Sequence, residues 1–90
     1  MYMLEFLTIQ EVKSNIGIWC KALRKERGIS QAELARELSL STLTISKLEK
    51  GKNPTLDTLL KVMKYFQEMD SLNRWIVEKI QDLESKPSLY

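Results

Sequence analysis

The chain has 90 residues, of which 43% are hydrophobic and 29% charged, with three Gly, two Pro and a formal net charge of +2. These values predict a single folded domain over residues 1–90 and exclude a disordered or fibrous chain. One cysteine, Cys20, and no histidine are present, which excludes an internal disulfide, the usual zinc ligand sets and Ser-His or Cys-His nucleophiles. We therefore expect no metal, no cofactor and no enzymatic activity.

The hydropathy pattern argues against a membrane protein. No run of about 18 apolar residues is present, and the first residues lack the basic start and long apolar stretch of a signal peptide. We expect a cytoplasmic protein with no membrane partner.

The first predicted helix follows Thr8 and ends before Gly28. Thr8 and Glu11 have the spacing of a capping box, and a Gly after a basic last turn is typical of a helix end. Apolar residues recur at steps of three and four and predict one buried stripe. This stripe consists of Ile9, Val12, Ile16, Trp19 and Leu23.

Two short helices follow. Ser30 is expected to cap a second helix over residues 31–38, and the tight link of residues 39–41 leads to a third helix. The third helix begins near Thr42 and ends at Gly51, which favours a left-handed cap. Its buried side is predicted to be Ile45 and Leu48.

Two further helices complete the chain. Thr55 is expected to cap the fourth, and Asp70 or Ser71 the fifth, which ends at Lys86-Pro87. The buried stripe of the fourth helix is predicted as Leu56, Leu59, Leu60, Met63 and Phe66. The apolar positions of the fifth are Leu72, Trp75, Ile76, Ile80 and Leu83. Only residues 2–7 could form a strand, and their alternation is imperfect, so we predict an all-α fold.

The basic residues are concentrated in the middle of the chain. Residues 21–52 hold eight basic and four acidic side chains, and the remainder of the chain has a net charge of −2. A basic centre fits a docking surface for a polyanion, and ordinary solvated helix faces explain the same charges equally well.

The second and third helices, joined by a tight link, have the arrangement of a helix-turn-helix unit. The segment GISQAELARELSLSTLTISKLEKGKNPTLDTLLKVMKYF resembles the phage-repressor or Xre-like helix-turn-helix family. Five features match: Ser-Gln opening helix two, Leu-Ala within it, Ile-Ser in helix three, a Glu-basic-Gly stop, and Pro before a Leu-rich helix four. The resemblance spans about residues 21–67 and implies a five-helix lambda repressor-like DNA-binding domain, with its helix-turn-helix core over residues 8–67.

The third helix is the candidate for entering the major groove, where each base pair presents a distinct pattern of donors and acceptors. By resemblance, Thr42, Leu43 and Lys47 occupy the base-reading positions, and Thr44 and Ser46 lie nearer the sugar-phosphate backbone. Leu43 could contact a thymine methyl group or be an incidental surface residue, and Lys47 could donate to guanine or to a phosphate.

Other polar residues are candidates for contacts with the DNA backbone. Gln31 opens helix two, where free N–H groups favour a phosphate, and the family uses the matching glutamine in this way. Lys50, Lys52 and Asn53 follow the third helix, where a backbone contact would fix its register. The family also pairs a helix-one arginine with the glutamate before the basic-Gly stop. Here these are Arg24 and Glu49, which we expect to form a structural ion pair.

A short recognition helix reads only a few base pairs, so specific binding generally requires two copies on a pseudo-palindromic operator. We therefore expect a homodimeric, sequence-specific regulator of transcription that binds double-stranded DNA, and most simply a repressor. The fifth helix, over residues 70–85, is the candidate dimer interface. Its interface residues are predicted to be Trp75, Ile76, Ile80 and Leu83.

Two alternatives remain at this point. The small size and residues 53–60 (NPTLDTLL) also resemble short HipB-like antitoxins, which repress their own operon and bind a toxin protein. Alternatively, the chain is a protein-interaction module on a helix-turn-helix scaffold that binds a partner without recognising an operator. An enzyme would have to use surface carboxylates such as Glu33 and Glu37, with no histidine to assist them.

Overall fold

The computed structural model describes residues 6–85. Within this range the fold is all-α and contains five helices, which confirms the predicted fold class. They are α1 (Ile9–Arg27), α2 (Gln31–Glu37), α3 (Thr42–Glu49), α4 (Leu56–Tyr65) and α5 (Met69–Ser85). The possible strand at residues 2–7 falls mostly outside the described residues, and the predicted stop at Lys86-Pro87 falls wholly outside them. Among residues 6–85, no helix combines the length and the apolar character needed to cross a membrane.

The predicted caps of α1, α2 and α4 are confirmed. Thr8 and Glu11 form a reciprocal capping box at the start of α1: the Thr8 hydroxyl accepts from the Glu11 N–H at 3.0 Å, and the Glu11 carboxylate accepts from the Thr8 N–H at 2.8 Å. Ser30 and Glu33 repeat this arrangement on α2. Thr55 caps α4 by accepting from the N–H of Thr58. These local signals determine where each helix starts.

The predicted caps of α5 place its start two or three residues too late. The chain turns at Gln67, which has a positive φ of 62°, and α5 begins at Met69. The N–H of Glu68 bonds to the carbonyl of Met63 at 2.8 Å, which is the Schellman ending of α4. Because α4 ends in this tight turn, α5 starts directly after it, and Asp70 and Ser71 lie inside its first turn instead of capping it.

The core lies between α1, α2, α3 and α4. It is formed by the buried residues Cys20, Leu34, Ala35, Ile45, Leu48, Val62, Met63 and Phe66. Several predicted core residues belong to it, among them Ile45, Leu48, Met63 and Phe66. Leu56 does not, since its side chain is 70% exposed at the first position of α4, and Val62 is buried in its place on that helix.

The predicted stripe of α1 is wrong as a description of its buried face. Ile9, Val12 and Trp19 are exposed, and Ile16 and Leu23 are only partly buried. The buried residues of α1 are Gly17, Cys20 and Arg24, whose face is rotated from the apolar stripe by about a quarter of a turn. The reason is the close packing of α1 against α3 at Gly17. A Cβ atom there would lie 2.5 Å from the carbonyl oxygen of Glu49.

The fifth helix is attached to the domain near its beginning. None of its residues is buried, and Leu72, which packs against the core, is its only half-buried residue. The described chain is elongated, with extents of 54 × 28 × 21 Å. Its last helix therefore presents a long apolar face to the surroundings.

Candidate nucleic-acid interface

The third helix presents opposite faces to the core and to solvent. Ile45 and Leu48 are 0% and 1% exposed and anchor it to the domain. Thr42, Leu43 and Lys47 are all exposed on the other side. Because Leu43 and Lys47 are four residues apart, their side chains share one helix face, next to Thr42. The helix is thus a protruding rod whose outer surface is available to a partner.

Hydrogen bonds within the turn fix where this helix begins. Ser39 adopts a positive φ of 56°, and the N–H of Leu40 bonds to the carbonyl of Ala35 at 2.8 Å. The Ser41 hydroxyl then caps α3 by accepting from the N–H of Thr44 at 3.0 Å, and the two hydroxyls lie 2.8 Å apart. The Thr44 hydroxyl is therefore part of the cap, and Ser46 is half-buried.

A buried ion pair ties the end of α3 to α1. Arg24 contacts Glu49 through two hydrogen bonds, from Nε to Oε2 at 2.6 Å and from Nη2 to Oε1 at 3.0 Å. Both residues are 8% exposed. The guanidinium also donates from Nη1 to the carbonyl of Ile29 at 2.9 Å. The pair that the resemblance implied is thus bidentate and also holds the segment that leads into α2.

The same carboxylate receives a third hydrogen bond. Gln31 donates from Nε2 to Oε1 of Glu49 at 2.9 Å. Burial by itself raises the pKa of Glu49, but the hydrogen bonds from Arg24 and Gln31 and the nearby positive charges outweigh it, so the pKa lies below its ordinary value. The carboxylate stays ionised at neutral pH, and Gln31 lies beside the C-terminal end of α3.

The loop that follows α3 is fastened to the beginning of α1. Gly51 has a positive φ of 72°, and its carbonyl accepts from Nε2 of Gln10 at 3.2 Å. Nζ of Lys13 donates to Oδ1 of Asn53 at 2.7 Å. The bond uses the carbonyl oxygen of Asn53, whose NH2 group is the part suited to a phosphate. Lys50 and Lys52 are exposed on the same loop.

Comparison with known families decides the assignment. Residues 21–70, more than half of the chain, match the helix-turn-helix family model. The chain belongs to the Xre and lambda repressor-like helix-turn-helix family. Members of this family are DNA-binding regulators and are generally not enzymes. Comparisons with curated proteins and with solved structures found no match.

In this helix-turn-helix protein, the candidate DNA-contacting residues are grouped around α3. Gln31 and the loop of residues 50–53 both lie at its C-terminal end, and Lys13 adds a cation from α1. Lys13 was not predicted, because only the fold brings it next to a residue 40 positions away. The predicted interface residues Trp75, Ile76, Ile80 and Leu83 form a separate surface on α5, where each is exposed.

Glu33, one of the surface carboxylates considered for acid–base chemistry, has a structural role in this helix-turn-helix protein. The Glu33 carboxylate accepts from the backbone N–H of Ser30 at 2.7 Å, and this hydrogen bond lowers its pKa. Glu33 therefore serves the cap of α2. Burial raises the pKa of the Cys20 thiol to about 11, so it is protonated and inaccessible at neutral pH.

Proposed function

We propose that this protein is a homodimeric, operator-binding transcriptional repressor of the cytoplasm. The observation that supports this best is the orientation of α3, with Ile45 and Leu48 buried and Leu43 and Lys47 exposed on the opposite face. An α-helix fits the width of the major groove. An anchored helix whose outer face carries both polar and apolar side chains is suited to reading base edges there. A dimer bound to an operator blocks access of other proteins to that DNA, which is the action of a repressor.

The outer face of α3 offers contacts of different kinds. Lys47 donates to O6 or N7 of a guanine, and the exposed side chain of Leu43 packs on a thymine methyl group. Thr42, at the beginning of the helix, completes the base-reading set. Thr44 and Ser46, which are both half-buried, remain the candidates for contacts with the sugar-phosphate backbone. This mixture predicts a preference for both a guanine and a thymine within each half-site.

Contacts with phosphates position the reading helix. Lys50, Lys52 and Asn53 follow its C-terminal end, and Gln31 lies beside that end through its bond to Glu49. Lys13 joins this group through Asn53. Such contacts carry no sequence information but fix the register of the protein on the duplex.

Dimerisation through α5 would place two reading helices on one operator. Ile80 and Leu83 are 46% and 69% exposed, and a groove of about 370 Å³ lies between α4 and α5. The side chains that give the groove its apolar character are Leu60, Met69, Leu72 and Ile76. The apolar α5 residues that line the groove and the exposed Ile80 and Leu83 follow one another at steps of three and four residues. They therefore lie along the same face of α5.

This arrangement favours an antiparallel pairing of two copies of α5. If the two-fold axis passes near Ile76, Leu72 of one copy lies opposite Ile80 of the other, and Met69 lies opposite Leu83. The projecting end of each α5 then covers the groove of its partner. A two-fold axis also matches the symmetry of a pseudo-palindromic operator.

Selection of bound fragments from random duplex DNA tests the function directly. We expect a palindromic consensus. With about six to eight phosphates contacted, the plot of log K against log salt should have a slope of about −5 to −7. A flat salt response, or failure to bind any duplex at low ionic strength, would contradict the proposal. If the protein forms dimers but these dimers bind no duplex, the result would favour the alternative of a protein-interaction module.

Cross-linking of introduced cysteines tests the dimer. Cys20 is buried and unreactive, so Ile76→Cys supplies the only accessible thiol and should cross-link two copies with a short bismaleimide. Leu83→Cys is the matched control, because position 83 of one copy lies far from position 83 of the other copy in an antiparallel pair. Efficient cross-linking at both positions would indicate a parallel pair, and cross-linking at position 83 alone would place the two-fold axis near Leu83. Either result would contradict the proposed arrangement.

A further inference from the structure

The hydrogen bond between Gln31 and Glu49 joins two residues to which the sequence gives separate roles. Gln31, the first residue of α2, is a candidate phosphate contact, and Glu49, the last residue of α3, is a partner in a structural ion pair. Nε2 of Gln31 lies 2.9 Å from Oε1 of Glu49, although the residues are 18 positions apart. Gln31 is half-buried, and Glu49 is 8% exposed.

The chemistry of the two groups gives this contact a direction. A glutamine amide carries two N–H donors at one end and a carbonyl acceptor at the other. An unrestrained amide can turn either end towards a phosphate, and the carbonyl end would be repelled by it. An ionised carboxylate only accepts hydrogen bonds. Contact with Glu49 therefore selects one orientation of the amide, which leaves the second N–H of Nε2 available as a donor to a phosphate.

The negative charge of Glu49 would by itself disfavour a phosphate nearby. Arg24 compensates for this charge through its bidentate contact with both carboxylate oxygens. It also donates to the carbonyl of Ile29, two residues before Gln31. The guanidinium therefore neutralises the carboxylate and restrains the backbone that leads to Gln31.

We propose that Glu49 is a positioning residue for DNA binding, which orients the amide of Gln31 so that an N–H donor meets an operator phosphate. This inference rests on the proposed function, since it concerns one contact of the same DNA interface. Arg24 supports it by keeping Glu49 in place and by balancing its charge. The three residues act as one unit that links the anchoring of α3 to a contact with the DNA backbone.

A double-mutant cycle on operator affinity tests the proposal. Gln31→Ala in the wild-type protein should weaken binding by about tenfold per half-site, the loss of one hydrogen bond to a charged group. Glu49→Gln removes the obligate acceptor and lets the amide of Gln31 turn. In that background Gln31→Ala should have a much smaller effect. Because glutamine carries no charge, Gln31→Ala should leave the salt slope unchanged within each background.

A second background keeps the test valid if Glu49→Gln unfolds the protein. Replacing both partners, Arg24→Met with Glu49→Leu, removes the acceptor without leaving a buried charge, and such replacements commonly preserve the fold. Circular dichroism verifies that each variant is folded at the temperature of the binding assay. Gln31→Ala should again have little effect on operator affinity here.

The outcomes separate this proposal from the proposed function. Equal effects of Gln31→Ala in all backgrounds would show that Glu49 has only a structural role and overturn the positioning. No effect of Gln31→Ala in the wild type would overturn it as well, while the operator complex itself would still support the regulator. If the wild-type protein binds no duplex, the proposed function fails first.

Discussion

Gly17 in the middle of α1 lies directly against the backbone of Glu49 at the end of α3. A Cβ atom at position 17 would be 2.5 Å from the carbonyl oxygen of Glu49 and 2.7 Å from that of Leu48. Because both are backbone atoms, no side-chain rotation relieves the clash. The distance between α1 and α3 therefore depends on the absence of a side chain at this position.

Gly17→Ala should destabilise the protein, although the same change in an exposed helix normally stabilises by about 1 kcal/mol. Overpacking of this kind typically costs about 1–3 kcal/mol, so we expect a net loss in the free energy of unfolding. Urea denaturation followed by circular dichroism measures it. Asn15→Ala, at an exposed position of the same helix, is the control and should be neutral or slightly stabilising. A stabilised Gly17→Ala variant would contradict the close packing.

Local signals were sufficient to predict most of the helices. The capping side chains Thr8, Ser30 and Thr55 act within three residues of themselves, so their patterns are visible in the sequence. The face of α1 that is buried was not predictable in this way. It depends on the contact between Gly17 and α3, and an apolar stripe predicts burial only where a neighbouring element covers it.

The candidate interface was predictable to a similar extent. The outward face of α3 follows from Ile45 and Leu48 alone, since the helix period places Leu43 and Lys47 opposite them. The contacts of Lys13 with Asn53 and of Gln31 with Glu49 join residues 40 and 18 positions apart. Such pairs come from tertiary structure, and neither residue type nor spacing identifies them in a single sequence.

Arg24→Met should lower stability strongly because it leaves Glu49 charged and unpaired in a buried site. Removal of one partner of a buried ion pair costs about 3–5 kcal/mol. The double replacement Arg24→Met with Glu49→Leu should recover most of this loss, since no charge remains buried. Thermal or urea unfolding of the three proteins measures the difference. Equal stability of the single and double variants would mean that the two residues are not coupled.

Acid should lower the free energy of unfolding of the wild-type protein through protonation of Glu49. Its folded-state pKa lies below the ordinary value of 4.5, so its stabilisation is fully present above that pH and is lost as the pH falls through the folded-state pKa. The free energy of unfolding should therefore decrease more steeply below about pH 4 for the wild type than for the double replacement. Parallel pH profiles for the two proteins would exclude Glu49 as the source.

Lys47→Ala should reduce operator affinity by about 10- to 100-fold if the lysine donates to a guanine, and should relax the preference at that base pair. If Lys47 contacts a phosphate instead, affinity falls equally for all sequences and the salt slope decreases by about one per copy. Fluorescence anisotropy with operator variants distinguishes the two. Lys64→Ala on α4 is the charge-matched control and should leave binding unchanged. Equal losses for both variants would point to general electrostatics and against a reading role.

Ile80→Glu should dissociate the dimer without unfolding its subunits. Ile80 is 46% exposed and is not part of the core of its own chain, so a charge there is solvated in the monomer but buried without a partner in the dimer. Sedimentation should show monomers, and circular dichroism should show unchanged helical content. Operator binding should weaken because two linked reading helices become independent. Gln81→Glu adds the same charge away from the apolar face of α5 and should preserve the dimer. A dimer that survives Ile80→Glu would place the interface elsewhere, with the exposed apolar residues of α1 as the next surface to test.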